Sequence, residues 1–170
     1  LAVPSGVAAF RDLVPTALHA AVPRLIAARD ALEDAWARGP RTLLHGDAHA
    51  GNLYFLPLAV GLLDWQLAQR GQGMRDVAYF LANSLPIAVR REHERALIAL
   101  YLQALAEHGV TPPAFDVAWE QYRLHAIYAW IAAAVTAAAA TLQEAPIVRA
   151  AIERTSAALL DLDSLAAVQP

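Results

Sequence analysis

The sequence predicts a mainly α domain with a small β-hairpin, an α+β fold. Apolar residues recur at helical spacing over most of the chain, whereas one stretch holds two short apolar runs separated by a proline-containing break. At 170 residues, with 58% hydrophobic and 17% charged residues, the chain has about one domain's length and enough apolar side chains to bury a core. We therefore expect residues 1–170 to form a single domain.

Helices are predicted before the hairpin. Residues 8–20 are expected to be helical, and a second apolar stripe follows them until Gly39-Pro40, which cannot continue a helix. This stripe repeats with a period of 3.6 residues and consists of Leu25, Ala28, Leu32 and Trp36.

Four more helices are predicted after the hairpin. The first carries the stripe Val77, Phe80, Leu81 and Leu85 and ends near Pro86. The second carries Leu97, Ile98, Tyr101, Leu102 and Leu105 and closes at Gly109. The third begins at Thr111-Pro112-Pro113 or at Asp116 and runs to about Leu142, and the fourth follows Pro146 towards Leu165.

The hairpin is predicted from the runs Leu53–Leu56 and Val60–Leu63, which flank Pro57-Leu58-Ala59. With a turn centred on Leu58, Asn52 and Asp64 are equidistant from it, so we expect them to face each other at the open end. Directly opposed residues lie about 4.5 to 5.5 Å apart. Two oxygen ligands at that spacing can share one hard cation such as Mg²⁺.

A glycine-flanked loop, His45-Gly46-Asp47-Ala48-His49-Ala50-Gly51-Asn52, leads into the same end of the hairpin. Its two glycines permit sharp turns and the close approach of a ligand. An aspartate, an asparagine five residues later and a further aspartate after a hairpin match the template for phosphoryl transfer to a hydroxyl. We therefore expect Asp47, Asn52 and Asp64 to converge on one metal-bound phosphate.

The same residues resemble a known family. The loop, Leu63-Asp64-Trp65 and the run Arg75-Asp76-Val77-Ala78-Tyr79-Phe80-Leu81 together resemble the aminoglycoside phosphotransferases and choline kinase-like small-molecule kinases, relatives of the protein kinases. His49 stands where protein kinases usually carry lysine, and Trp65-Gln66 replaces their Phe-Gly, as expected for small-molecule kinases. The resemblance implies the C-terminal lobe of a protein-kinase-like fold and a cytoplasmic kinase that uses ATP and Mg²⁺ to phosphorylate a small-molecule hydroxyl.

The resemblance also implies roles for individual residues. Asp47 is the catalytic residue, and His49, Asn52 and Asp64 contact the nucleotide, with the last two holding the metal. His49 either donates to a phosphate or orients the loop, and these alternatives stay open. His45 is expected to bond to backbone behind the loop, and Asp76 to accept hydrogen bonds from the catalytic-loop backbone.

One feature that kinases use to grip ATP is missing. The chain contains no lysine, which excludes both a Walker-type phosphate loop and the strand lysine of kinases. The clustered Gly71 and Gly73 lie downstream of Asp64 and open no phosphate loop. We therefore expect the nucleotide-binding N-terminal lobe to lie outside this chain, truncated or supplied by another chain, and the chain alone to be inactive.

The sequence leaves two other hypotheses for the function open. In the first, the chain is a degenerate kinase-like binding or regulatory module. In the second, it is a metal-dependent hydrolase with the ligands His45, Asp47, His49 and Asp64. Abundant alanine and arginine without lysine indicates a GC-rich bacterial genome.

Composition narrows the partners. A net charge of −3 offers no basic footprint for nucleic acid, and the absence of cysteine excludes disulfides and thiolate metal sites. Residues 126–142 are uncharged but mostly alanine, which favours a core helix over a membrane span. The acidic residues that a cationic acceptor would need are interpreted as solvated helix faces; they are Glu92, Glu94, Glu107, Asp116 and Glu120.

Overall fold

The computed structural model describes residues 2–139 and 143–168, which form seven α-helices and four short strands. The helices are α1 (Ala2–Ala9), α2 (Thr16–Ala27), α3 (Arg29–Trp36), α4 (Met74–Ser84), α5 (Ile87–Glu107), α6 (Phe115–Ala138) and α7 (Ala145–Asp161). The strands are β1 (Thr42–Leu44), β2 (Leu53–Leu56), β3 (Ala59–Leu62) and β4 (Gln69–Gly71). The predicted fold class, mainly α with a small β part, is confirmed.

The alanine-rich helix α6 forms the centre of the core. It packs against α1, α4 and α7, and several of its side chains are completely buried, including Tyr122, Ile127 and Trp130. The indole Nε1 of Trp130 donates to Ser156 Oγ on α7 at 3.0 Å. Small side chains let neighbouring backbones approach α6 closely, as the sequence predicts. None of the helices in the described part of the chain is long and apolar enough to cross a membrane.

The predicted helix over residues 8–20 is wrong. Helix α1 ends at Ala9, and a turn follows before α2 begins at Thr16. Pro15 adopts an extended conformation (φ −57°, ψ 144°) directly before α2, because proline has no N–H to continue a helix but suits the residue before one. The later stripe is buried or half-buried as predicted, although Ala28 separates α2 from α3.

The later helices follow the prediction closely. Helix α5 ends at Glu107, and Gly109 has the positive φ of +77° that glycine adopts readily. Helix α6 begins at Phe115, between the two predicted starts, and no side chain caps it. It ends at Ala138; the predicted end at Leu142 lies outside the described residues. Helix α7 has Pro146 in its first turn.

The hairpin forms, but its register differs from the prediction by one residue. Leu53 pairs with Leu62 and Leu56 pairs with Ala59, so the turn is the two-residue Pro57-Leu58. Ala59 joins the strand instead of the loop. The residue facing Asn52 is therefore Leu63, whose N–H donates to the Asn52 carbonyl at 2.8 Å, and the predicted pairing of Asn52 with Asp64 is wrong.

The sequence did not predict a second antiparallel ribbon. Strands β1 and β4 pair Thr42 with Gly71 and Leu44 with Gln69. Each strand has only three residues, which is too short for an alternating pattern to be recognised. This ribbon brings the chain before the glycine-flanked loop alongside the chain after Asp64.

We expect Gly6→Ala to destabilise the fold, because a Cβ on Gly6 would lie 1.8 Å from the Ala134 carbonyl oxygen of α6. Backbone must move to relieve that contact, at a typical cost of about 1–3 kcal/mol. Urea denaturation measures the loss. Ala8→Leu, which adds bulk on the exposed side of α1, is the matched control and should unfold at the unaltered midpoint. Equal midpoints for both variants would contradict the close packing of α1 on α6.

Candidate active site

The glycine-flanked loop is anchored to the first turn of α4. The Asp76 carboxylate accepts hydrogen bonds from the backbone N–H groups of His45 (2.6 Å) and Gly46 (3.1 Å). Gly46 has φ +85°, and a Cβ there would lie 2.2 Å from the Leu67 carbonyl oxygen. Glycine is therefore required at this turn, and the predicted role of Asp76 as an acceptor for the loop backbone is confirmed.

His45 joins the loop to the segment after the hairpin. It is 2% exposed; its Nδ1 accepts the Asp47 N–H at 3.3 Å, so the proton on Nε2 is donated to the Leu63 carbonyl at 2.6 Å. Its ring also packs on Trp65, with centroids 4.7 Å apart. The expectation that His45 bonds to backbone is confirmed. Both ring nitrogens are occupied by this network.

Asn52 is held against Asp47. Asn52 is 8% exposed, and its Nδ2 donates to the Asp47 backbone carbonyl at 2.9 Å and lies 3.5 Å from the Asp47 carboxylate. Its backbone N–H donates to the His49 carbonyl at 2.9 Å. Because the amide hydrogens are directed towards Asp47, the side-chain oxygen of Asn52 is the atom left for a cation.

His49 and Asp47 form a coupled pair. The Gly51 N–H donates to His49 Nδ1 at 3.1 Å, and His49 Nε2 lies 3.6 Å from the Asp47 carboxylate. The contact with Asp47 raises the pKa of His49 above 6.5 against the effect of burial, with a smaller contribution from Asp64. His49 thus orients the loop, one of the two predicted roles; donation to a phosphate stays a prediction.

Asp47 is stabilised in its ionised form. The side chain of His49 lowers the pKa of Asp47 below 3.8, against the opposing effect of burial, and a hydrogen bond from Tyr79 acts in the same direction. Burial and the Asp47 charge in turn raise the pKa of Tyr79 far above its ordinary 10.0, so its hydroxyl remains a donor. Sequence reasoning missed Tyr79, although it lies within the third matched motif.

Asp64 lies beyond the end of β3 in a left-handed conformation (φ 61°, ψ 62°), which aspartate tolerates better than most residues. A short 3₁₀ helix, Trp65–Leu67, follows it. The Asp64 side chain is exposed, and its nearest hydrogen-bonding contact is Gln66 Nε2, 3.4 Å from one carboxylate oxygen. The Asp64 carboxylate is thus accessible to solvent and has few hydrogen-bond donors from the protein near it.

A cleft of about 1110 Å³ brings these residues together. It is lined by the loop and Asp64 and by residues of α4, α6 and α7. Asp47, His49, Asn52 and Asp64 all line it, although Asn52 and Asp64 are not paired across the hairpin. An amide oxygen and a carboxylate bordering one cleft are hard oxygen donors of the kind that suits Mg²⁺.

The structure does not support the ligand set of the metal-dependent hydrolase hypothesis. Within residues 2–139 and 143–168, no group of three or more histidine, cysteine, aspartate or glutamate side chains is arranged to hold a metal ion. His45, one of the four residues of that hypothesis, uses both ring nitrogens within the protein.

The acidic residues considered for a cationic acceptor lie elsewhere. None of the five borders the cleft. Glu94 is not a solvated face, because it is 8% exposed, accepts from Arg90 at 2.5 Å and from the Tyr122 hydroxyl at 2.8 Å. That interpretation of Glu94 is wrong, since a buried carboxylate with a buried guanidinium partner is part of the core.

We expect Asp76→Asn to loosen the loop, because the new amide presents N–H groups to the N–H donors of His45 and Gly46. Leaving one buried donor unsatisfied costs about 1–3 kcal/mol. Amide hydrogen exchange should accelerate at His45 and Gly46 more than in α5. Asp34→Asn on the exposed face of α3 is the control. Unchanged protection of both amides would show that Asp76 does not anchor the loop.

The His49–Asp47 pair predicts a window of pH in which it stabilises the fold. Because the pKa of His49 is raised, its contribution is complete below pH 6.5 and is lost as pH rises through the folded value. Because the pKa of Asp47 is lowered, its contribution is present above pH 3.8 and is lost as pH falls through the folded value.

NMR titration of His49 measures this coupling. Asp47→Asn should move the pKa of His49 down, and by more than Asp64→Asn does, since Asp47 is the larger cause. Asp34→Asn, on the exposed face of α3, is the control and should leave the pKa of His49 unchanged. An unshifted His49 in Asp47→Asn would refute the coupling.

Comparison with known proteins agrees with this geometry. Residues 6–108, more than half of the chain, match the model of the Phosphotransferase enzyme family. Methylthioribose kinases of Bacillus cereus strains B4264 and G9842 are 33% identical over 60 residues, which is 35% of this chain and 15% of each relative. The match thus spans less than a sixth of the relatives, and no solved structure matches the chain significantly. On the strength of the family match, which covers the loop, the hairpin and Asp76, the chain belongs to the Phosphotransferase enzyme family.

Proposed function

We propose that the chain is the catalytic C-terminal lobe of an ATP-dependent kinase that transfers the γ-phosphoryl group to a hydroxyl of a small molecule. One observation carries this proposal: Asp47, Asn52 and Asp64 border a single cleft in a chain of the phosphotransferase family. The name of the similar methylthioribose kinases, which denotes kinases of a small molecule, supports the same class of reaction. ATP is the cytoplasmic phosphate donor, so the proposed enzyme acts in the cytoplasm.

In this proposal Asp47 positions the acceptor. The lowered pKa keeps its carboxylate ionised, so it accepts a hydrogen bond from the acceptor hydroxyl and aligns the oxygen for attack. A carboxylate of low pKa is a weak base. Asp47 therefore contributes mainly through orientation, and takes the proton as the oxygen–phosphorus bond forms and the hydroxyl becomes acidic.

Asn52 and Asp64 would hold Mg²⁺ through the side-chain oxygen of the first and the carboxylate of the second. When bound, the ion neutralises charge on the phosphates of ATP. The Asp47 carboxylate, in contrast, is already contacted by His49 and Asn52, and the Tyr79 hydroxyl beside it lowers its pKa further. In this scheme Asp47, which has more contacts with protein donors, binds the acceptor hydroxyl, whereas Asp64, which has fewer, binds the metal.

The nucleotide-binding lobe would cover the hairpin. Large apolar side chains with more than a third of their surface exposed are concentrated between residues 43 and 67. Leu58 is 100% exposed and Phe55 is 75% exposed. Exposed apolar clusters of this kind usually mark contact surfaces. We therefore propose that a lysine-bearing lobe, from the same protein or another chain, packs here.

A degenerate binding module is the second candidate, and the absence of lysine from the chain favours it. Binding of ATP to the full-length protein distinguishes the two functions. Tight, Mg²⁺-dependent binding with slow ATP consumption that an acceptor stimulates favours the enzyme.

In the full-length protein, we expect Asp47→Asn to lower kcat by at least about 100-fold, because the amide lacks the negative charge that aligns the acceptor hydroxyl and cannot take its proton. The KM for ATP should change little, since Asp47 does not hold the nucleotide in this scheme. Steady-state kinetics with a verified acceptor makes the measurement, with Asp34→Asn as the control. Unchanged turnover in Asp47→Asn would overturn the proposed function.

A further inference from the structure

One wall of the cleft, formed by α6 and α7, is largely apolar. The same cleft is lined by Tyr79, which acts on Asp47, and by Tyr128 of α6, whose ring centroid lies 6.0 Å from that of Tyr79. The wall includes Ile131, Ala132, Val135, Ile147, Val148 and Ala151. The cleft volume of about 1110 Å³ slightly exceeds the usual range for pockets that enclose whole small molecules, about 300–1000 Å³. A hydroxyl at Asp47 therefore leaves room for a large body along the apolar wall.

The charges along the cleft do not suit a polycation. Among the described lining residues, the acidic side chains are Asp47 and Asp64, and both already have roles in the proposed function. The cation of the wall is Arg154, whose Nη1 donates to the Asn83 and Ser84 carbonyls at 3.2 Å each. No carboxylate in the described part of the chain pairs with Arg154. No carboxylate therefore neutralises its positive charge at the cleft.

We propose that the phosphate acceptor is an alcohol with an extended apolar body that is uncharged or anionic, and not a polycationic sugar. This inference rests on the proposed function, since it assigns the acceptor of the same site. An apolar body gains free energy from leaving water along α6 and α7. An ammonium group placed there would lose its hydration without meeting a carboxylate, and Arg154 would repel it.

A series of acceptors tests the apolar wall. Glucose, butyl glucoside and hexyl glucoside share one set of hydroxyls and differ in apolar length, whereas kanamycin is a polycation. Calorimetry on full-length Asp47→Asn measures binding without turnover, and ATP consumption by the unaltered full-length protein measures reaction. We expect the dissociation constant to fall at least about tenfold from glucose to hexyl glucoside, since one buried CH₂ alone contributes nearly fourfold. Kanamycin should bind more weakly than hexyl glucoside.

Variants locate the binding. Val135→Asp places a carboxylate in the wall at a position 40% exposed, and should weaken hexyl glucoside at least about tenfold while improving kanamycin. Val117→Asp makes the same change on the same helix, at a position 50% exposed and outside the cleft, and should alter neither ligand. Arg154→Gln should weaken hexyl glucuronide more than hexyl glucoside, and Arg149→Gln on α7 should not.

The outcomes separate this inference from the proposed function. Phosphorylation of kanamycin without binding of the alkyl glucosides would overturn the apolar-acceptor proposal and leave the kinase intact. Chain-length-dependent binding that Val135→Asp abolishes, without ATP consumption for any acceptor, would overturn the kinase and support the apolar cleft. Failure of every glucoside to bind, or equal binding along the series, would overturn the apolar-acceptor proposal.

Discussion

The paired hydrogen bonds from His45 and Gly46 to the Asp76 carboxylate are the constraint on which the site depends. They hold the backbone before Asp47 against the first turn of α4, where a negative charge is also favoured by the helix dipole. With that backbone fixed, the left-handed turn at Gly46 sets the direction in which Asp47 leaves the ribbon. The Asp76 carboxylate therefore fixes the position of the loop relative to α4.

Leu63 connects the loop to the hairpin through two hydrogen bonds of its backbone. Its carbonyl accepts from the His45 ring and its N–H donates to the Asn52 carbonyl, so one peptide segment contacts both loop and hairpin. Successive side chains of a strand point to opposite sides of the sheet. Because Leu63 is the residue opposite Asn52, a regular strand would direct the Asp64 side chain away from the side of the sheet that Asn52 occupies. Strand β3 ends at Leu62, however, and Asp64 has a left-handed conformation instead of an extended one. Asp64 consequently borders the cleft despite the one-residue difference in register.

Local signals explain what sequence reasoning could predict. The long helices α5 and α6 repeat apolar residues often enough for their period to be read, and the clustered motif residues identified the loop. Three features escaped because they depend on distant contacts or on single residues. Strand β1 is three residues long and exists through pairing with β4, the break before α2 depends on Pro15, and Glu94 is buried through its contact with Arg90. Tyr79 also escaped, because its effect on Asp47 depends on the contact of the loop with α4, the helix that carries both Tyr79 and Asp76.

Hydrogen bonding also explains why two nearby acids would take different roles. Metal binding requires carboxylate lone pairs, and the Asp47 carboxylate already has His49 Nε2 at 3.6 Å, Asn52 Nδ2 at 3.5 Å and the Tyr79 hydroxyl beside it. If a metal displaced these groups, Tyr79, the half-buried His49 and the buried Asn52 would each lose a contact with the carboxylate, which costs free energy. Asp64 is exposed and has only a long contact with Gln66, so a cation displaces little there. The proposed assignment of metal to Asp64 and acceptor to Asp47 follows from this difference in donor supply.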